Sequence, residues 1–569
     1  MHPLRVTICT LIAAIATFSL AQQPNSHQLK FEISFPASLQ ALPVDGRILL
    51  AISKEEKPEP RFGIDEDETK SQQLFGLNVN ALKPDVTAVV DASALGYPVR
   101  SLDQVPSGEY YVQAVLNVYE TFKRSDGCIL KLPADKGEGQ QWNLKPGNLF
   151  SKPKRIQVDQ ANGGVIHISL TEIILPIEPP KDSKYVKHFR IQSKLLSEFW
   201  GRPMYLGGII IVPDGFEEHP DAHYPLLVYQ DHFSADLPVF ISLRSDPPAA
   251  DAKGTDLKWQ KEAHHRYQDW TSGRLPHALV LYIQDANPYF DDCYGVNSVN
   301  VGPYGDAIVK ELIPEVERRY RGIGQGWARG QFGGSTGGWA VLAQQVLYPD
   351  EFNWTYSFCS DPIDFHAYEL VDIYNDKNAF WLEGPFGRVP RPEMRNNLGL
   401  VKANMEPYVR REEVIGTNGR SAEQFGIWQA VYSPVGPDGY PKPIWDPTTG
   451  VIDASVAKYW QEHYDLSHIM QRDWMTLGPK LVGKIHLAVG DMDEWYLTNA
   501  IHLFQDFHDS AKNPYKVADF CYVQRRGHGF SLGENVVYPA GELFQKMVTL
   551  FAERIEKTAP KDADLSWKY

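Results

Sequence analysis

The sequence predicts an α/β chain preceded by a β-sandwich-like domain, and three observations carry that reading. Apolar and polar residues alternate with period two between Leu29 and Ile173, as in sheets with one face in water. The segment Pro176-Ile177-Glu178-Pro179-Pro180-Lys181-Asp182-Ser183 then breaks the pattern and removes backbone donors. Beyond it, continuous β-branched runs alternate with helical stripes, as in a mainly parallel sheet covered on both faces. A length of 569 residues exceeds one ordinary core.

The chain begins with Arg5 ahead of an apolar stretch, Val6 to Phe18, too short to span a bilayer. Ser19-Leu20-Ala21 then offers the small residues a signal peptidase needs. Residues 1–21 therefore read as a signal peptide, and the mature chain is expected to be secreted or periplasmic with no membrane anchor. Cys9 lies inside the apolar stretch rather than after a lipobox-like run, so no lipid attachment is expected. The remaining cysteines, Cys128, Cys293, Cys359 and Cys521, lack the close pairs of zinc sites and are expected as free buried thiols, with one disulfide as the alternative. No metal or organic cofactor is expected. A formal net charge of −15 and the lack of a long basic run argue against nucleic acid or an anionic membrane surface as partner.

Residues 22–176 are expected to form the sandwich. Leu29, Phe31, Ile33 and Phe35 fall on one side of a first strand; Tyr110, Val112, Ala114, Leu116 and Val118 on one side of another; Ile166, Ile168 and Leu170 repeat the pattern. Asp65-Glu66-Asp67-Glu68 lacks the ligand spacing of a calcium loop and reads as a solvated loop. After a linker, 177–183, residues 184–556 form the α/β domain. Gly207 to Val212, Leu226 to Tyr229 and Leu279 to Ile283 read as buried strands; Ile308, Leu312, Val316 and Tyr320, and later Leu497, Ala500, Ile501 and Phe504, as helix faces packed on the sheet. From Pro362 to Pro479 the chain turns rich in Pro, Gly, Trp and Tyr where a short connection would suffice, which predicts an inserted cap. Its Trp381, Phe386, Phe425, Trp428, Tyr432, Trp445 and Trp460 divide between the cap's own core and a pocket wall. A polar tail, 557–569, closes the chain.

The motif that carries chemistry is Gly333-Gly334-Ser335-Thr336-Gly337. Arg329 to Phe332 before it reads as a strand end, and Trp339, Leu342, Ala343, Val346 and Leu347 after it have helical spacing. A serine on such a sharp turn is presented as a nucleophile, and the flanking glycines let strand and helix approach. A serine hydroxyl needs a base, and the base an orienting acid, in the chain order Ser, acid, His. The strand-like run Lys484 to Val489 ends in Gly490-Asp491-Met492-Asp493-Glu494; Asp493 is the expected acid and Asp491 its rival, with Asp361 and Asp364 as further candidates. Ala518 to Gln524 reads as another strand and runs into a loop that holds His528 between Gly527 and Gly529, the expected base; His502 and His508 fall on a helix and read as surface or packing residues. The strand Leu226 to Gln230 leads into Asp231-His232-Phe233, so an amide of His232 or Phe233 is expected to join Thr336 N–H in an oxyanion hole.

Leu226 to Phe233, the block from Gly302 to Asp306 leading into Glu311 to Pro314 and Arg319-Tyr320-Arg321, the serine turn, and Tyr348-Pro349-Asp350-Glu351-Phe352 together resemble the esterase family that includes esterase D, feruloyl esterases and enterochelin esterases. The resemblance covers most of Ser183 to about Phe551, apart from the cap. It implies an α/β-hydrolase fold and carboxylic-ester hydrolysis, with Ser335, Asp493 and His528 at the triad positions. Where the family commonly has His-Gly after the strand, this chain has Asp231-His232, which leaves the second oxyanion donor open. The expected activity is that of an exported serine esterase acting on a small-molecule or polysaccharide-borne ester, with sugar and hydroxycinnamoyl esters as candidates. Acyl transfer or peptide hydrolysis on the same fold is one alternative, and an inactive glycan- or partner-binding protein is another.

Overall fold

The computed structural model describes residues 28–529 and 542–569; the expected signal peptide lies outside them. Eight strands form the central sheet: β1 (Val186–Ser193), β2 (Met204–Ile211), β3 (Leu226–Gln230), β4 (Leu279–Gln284), β5 (Arg329–Gly334), β6 (Trp354–Phe358), β7 (Ile485–Gly490) and β8 (Ala518–Val523). Their spatial order is β1-β2-β4-β3-β5-β6-β7-β8. β2 runs against both its neighbours, and every pairing from β4 through β8 is parallel. Flanked by helices, this is the α/β-hydrolase arrangement. The apolar runs that predicted strands are buried along their whole length, as parallel strands covered on both faces must be.

Between β5 and β6 runs α1 (Thr336–Leu347), whose Trp339, Leu342, Ala343 and Val346 pack into the main core. Between β6 and β7 the chain makes its long insertion, which contains α2 (Met405–Ile415) and α3 (Gln424–Tyr432). Phe425 and Trp445 stack edge to face at 5.3 Å, as do Tyr432 and Trp460, and all four are continuous with the main core, where Tyr432 meets Trp339 of α1 at 5.1 Å. Trp381 lies under the Arg388 guanidinium and Phe386 is fully exposed. The sheet is completed by α4 (Thr498–Ser510) and α5 (Leu543–Thr558).

The N-terminal strands form a three-stranded and a seven-stranded sheet, packed together through Phe31, Ile33, Ile48, Leu50, Val112 and Ala114, and a separate hairpin of Glu120–Lys123 with Ile129–Leu132. One wet face was expected for these sheets, and the strand Val44–Ser53 departs from this: it is buried on both sides. Its second face, with Leu49 and Ala51, packs against Val414 and Ile415 of α2, so the insertion covers what alternation alone assigns to water. Arg47 fastens that contact, donating to Val414 O at 2.7 Å, Glu413 O at 2.8 Å and Asn78 Oδ1 at 2.7 Å. From the other side Arg410 Nη1 donates to Gly96 O and Pro98 O, both at 2.8 Å.

The acidic stretch also differs from a merely solvated loop, since Asp67 is buried and Glu66 reaches a cavity wall. The C-terminal residues expected as a polar tail fold back, with Trp567 buried and Tyr569 stacked on His219 at 3.5 Å. The four described cysteines are free thiols; Cys293 and Cys359 are buried, Cys128 and Cys521 half-buried. Among the described residues no helix is long and apolar enough to cross a membrane.

Candidate active site

Ser335 stands at the turn from β5 into α1 with φ 54° and ψ −125°, a conformation that side-chain-bearing residues rarely adopt. Its amide donates to Phe358 O of the neighbouring β6 at 2.9 Å, which fixes the turn against the sheet. Two glycines make room for it. A Cβ on Gly337 would lie 2.0 Å from Gln230 O, and one on Gly333 2.5 Å from Gly337 O, so strand, turn and helix approach more closely than any side chain permits.

The loops after β7 and β8 supply an acid and an imidazole. Asp493, wholly buried, sits in the turn after β7, where its Oδ1 accepts from the amides of Trp495 at 2.9 Å and Leu497 at 3.4 Å. Its Oδ2 lies 2.8 Å from His528 Nδ1. Burial works to lower the His528 pKa, but the charge and hydrogen bond of Asp493, with Asp361 and Glu494, outweigh it and hold the imidazole above its ordinary value. Trp495 meets the His528 ring edge-on at 4.7 Å, and Cys359 Sγ donates to the His528 carbonyl at 2.9 Å. Asp491, the rival acid, is exposed and accepts instead from the Arg525 amide at 2.5 Å.

Ser335 and His528 line one cavity of about 450 Å³. The serine Oγ is 3.5 Å from Asp361 Oδ1, at the outer limit of a hydrogen bond. Asp361 Oδ2 accepts from Tyr294 Oη at 2.9 Å, Gln424 Nε2 at 3.2 Å, Trp428 Nε1 and Thr336 Oγ1, both at 3.3 Å. Burial still holds its pKa above the carboxylate range in spite of these donors.

The amides expected as second oxyanion donors are both engaged. His232 N–H donates to Asp231 Oδ1 at 2.8 Å, and Phe233 N–H to Asp292 Oδ1 at 3.2 Å. The reason is a cluster the sequence reading passed over: Asp292, in the Asp291-Asp292 pair after β4, also takes His232 Nδ1 at 2.6 Å. Burial pushes His232 down, but Asp292 and its neighbours raise it to about 10. The adjacent carboxylates Asp291 and Asp292, a few residues beyond a strand end, were the available signal. Thr336 is buried at the first position of α1, where helix geometry leaves its amide without an intrahelical partner. Of the aromatic residues expected in the cap, Trp428 reaches the cavity wall, and Glu66 and Gln140 reach it from loops of the N-terminal part.

Among the described residues, two groups of side chains have metal-ligand spacing. In Cys359, Asp493 and His528 the donor atoms are already joined to one another or to a carbonyl. In Asp364, His366 and Asp465 they are taken by backbone amides, the imidazole and Tyr374 Oη.

No family model matches the chain, and no curated protein matches it. Among solved structures it is similar to a ferulic acid esterase, at 15% identity with a TM-score of 0.33, over 65% of this chain and 98% of that one. An S-formylglutathione hydrolase from Agrobacterium tumefaciens aligns at 10% identity and a TM-score of 0.33, over 65% of this chain and 94% of its own. A post-proline cleaving enzyme from Rickettsia typhi aligns at 11% identity and a TM-score of 0.34, over 86% of this chain and 56% of its own.

Proposed function

We propose that this chain is an exported serine esterase that cleaves carboxylic esters through an acyl-enzyme. The observation that carries the reading is the buried Asp493 at 2.8 Å from His528 Nδ1, with the strained Ser335 on the wall of the same cavity.

With Nδ1 donating to Asp493, His528 Nε2 is left as the base. Ser335 Oγ attacks the ester carbonyl as its proton passes to Nε2; the tetrahedral intermediate collapses when the C–O bond to the alcohol breaks and Nε2 returns the proton to that oxygen. Water repeats both steps on the acyl-serine and regenerates the hydroxyl. The free amide of Thr336 receives the negative oxygen, a contact worth about 3 kcal/mol of barrier. A second donor requires Phe233 N–H to leave Asp292, whose 3.2 Å bond is the longer of the two that occupy the candidate amides. Asp361 accepts the resting serine hydroxyl until His528 takes its proton. A cavity of about 450 Å³ suits a drug-sized ester rather than a short acyl group.

The reading is tested with a fluorophosphonate probe on the whole protein, followed by mapping of the labelled peptide. Ser335 is expected to carry the label and Ser335→Ala to abolish it. A label elsewhere, or none on a folded sample, removes the mechanism.

A further inference from the structure

Every polar group of His232 but one is taken. Its amide donates to Asp231 Oδ1 at 2.8 Å, and its carbonyl accepts from Tyr282 Oη at 2.6 Å. Its Nδ1 lies 2.6 Å from Asp292 Oδ2, and Asp292 is fixed in turn by the Phe233 amide at 3.2 Å and Gln140 Nε2 at 3.3 Å. Nε2, on the opposite edge of the ring, has no partner among the described residues. That edge is the open one: the His232 side chain keeps 46% of its surface while Asp292 keeps 4%, and His232 lines the same cavity as Ser335.

The sheet sets the ring beside the serine. β3 and β5 pair through Gln230 and Gly333, and His232 and Ser335 each stand two residues beyond that pair, at one edge of the sheet. Asp361 reports the same proximity. Its carboxyl lies 3.5 Å from Ser335 Oγ; burial raises its pKa, while the Tyr294 bond and the charges of both His528 and His232 favour its ionised form. A negative oxygen forming at Ser335 finds little else to attract it. Glu66, Asp231, Asp291, Asp361, Glu369 and Glu423 line the cavity, and among the described residues no lysine or arginine does. Burial works to discharge His232, but Asp292, Asp231 and Asp291 outweigh it and keep the imidazole protonated at neutral pH. A second amide donor would first have to break from Asp292 or Asp231; this side chain breaks nothing.

We infer that the His232 side chain is the second donor of the oxyanion hole, giving Nε2–H to the oxygen that turns negative when Ser335 attacks, together with the Thr336 amide. No proton is transferred: the imidazolium keeps its hydrogen and gains one charge-assisted hydrogen bond as the carbonyl oxygen charges. Asp292 is then a positioning residue that holds the ring by its other nitrogen. The inference rests on the esterase reading, since without attack by the serine there is no such oxygen.

Two substitutions separate this role from a structural one, because each keeps the place of one ring nitrogen. Asn sets its amide where Nδ1 stands and nothing at Nε2; Gln reaches the place of Nε2 and gives up Nδ1. With p-nitrophenyl butyrate as the ester, His232→Asn is expected to lower kcat on the order of 10²- to 10³-fold with KM within a few-fold, and His232→Gln to keep at least about tenfold more kcat than His232→Asn. A ring that only braces Asp292 gives the reverse order. That order, equal kcat in the two variants, or a loss confined to KM overturns the inference. A second readout needs no variant to fold. The whole protein, its histidine nitrogens isotope-labelled, is compared by NMR before and after reaction with a fluorophosphonate, whose phosphoryl oxygen takes the place of the oxyanion in the adduct. His232 and His528 are the histidines of the cavity wall among the described residues, so two imidazole signals are expected to move, and movement of one alone counts against His232. A protein that labels at Ser335 with one moving signal loses this inference alone; one that does not label there loses the esterase reading, and the oxyanion hole with it.

Discussion

At the scale of residues, Asp493 and Asp491 lie two positions apart in one turn, and capture by different amides separates them. Trp495 and Leu497 hold Asp493 toward the imidazole, while Arg525 holds Asp491 at the surface. Asp493→Asn is therefore expected to lower kcat on the order of 10³- to 10⁴-fold, and Asp491→Asn to stay within a few-fold of the parent, read on any ester the enzyme accepts. Similar losses for both would separate the acid role from Asp493. The pH profile follows from the same pair. In the proposed mechanism His528 takes a proton only when neutral, and Asp493 raises its pKa; kcat/KM should climb with pH along a limb centred above the ordinary imidazole value of about 6.5. In Asp493→Asn the raising charge is gone, and the limb of the residual activity should move to lower pH. The different surroundings of these two acids could not be read from sequence because they depend on amides captured after the chain has folded. Asp361 illustrates the same limit: its place beside Ser335 arises because β6 pairs with β5, which sets Gly334 opposite Phe358.

At the scale of elements, the serine turn depends on an approach between β3, β5 and α1 that leaves no room for a methyl group. Gly337→Ala puts a Cβ 2.0 Å from Gln230 O, well inside any non-bonded contact, and the obstacle is backbone that cannot rotate away. The variant should lose about 2–4 kcal/mol of stability in denaturant unfolding. A loss below about 0.5 kcal/mol would show that the turn relaxes freely. The strands and helix around this turn were legible in the sequence because burial on both faces leaves continuous apolar runs, and a packed helix leaves apolar residues at helical spacing. The N-terminal sheets were legible only on one side. Leu49 and Ala51 in the Val44–Ser53 strand are covered by a helix more than 350 residues away, as the Arg47 to Val414 separation of 367 shows, and no local periodicity encodes such a cover.

At the scale of the whole molecule, the two parts share buried surface rather than a flexible joint. Arg47 and Arg410 cross the contact in opposite directions, each donating to two backbone carbonyls of the other part. Calorimetric unfolding is expected to show one transition, and Arg47→Ala to lower its midpoint by removing about 2–4 kcal/mol as the stranded carbonyls add to the lost bonds. Two well-separated transitions in the parent protein would mean that the sheets melt independently. The anchored position of the N-terminal sheets has a further consequence for how such a chain can change. Since Glu66 and Gln140 form part of the cavity wall, a graft of this N-terminal segment from a related chain would reshape the cavity while leaving Ser335, Asp493 and His528 untouched. The shape of the cavity would then be inherited with a segment that holds none of these three residues.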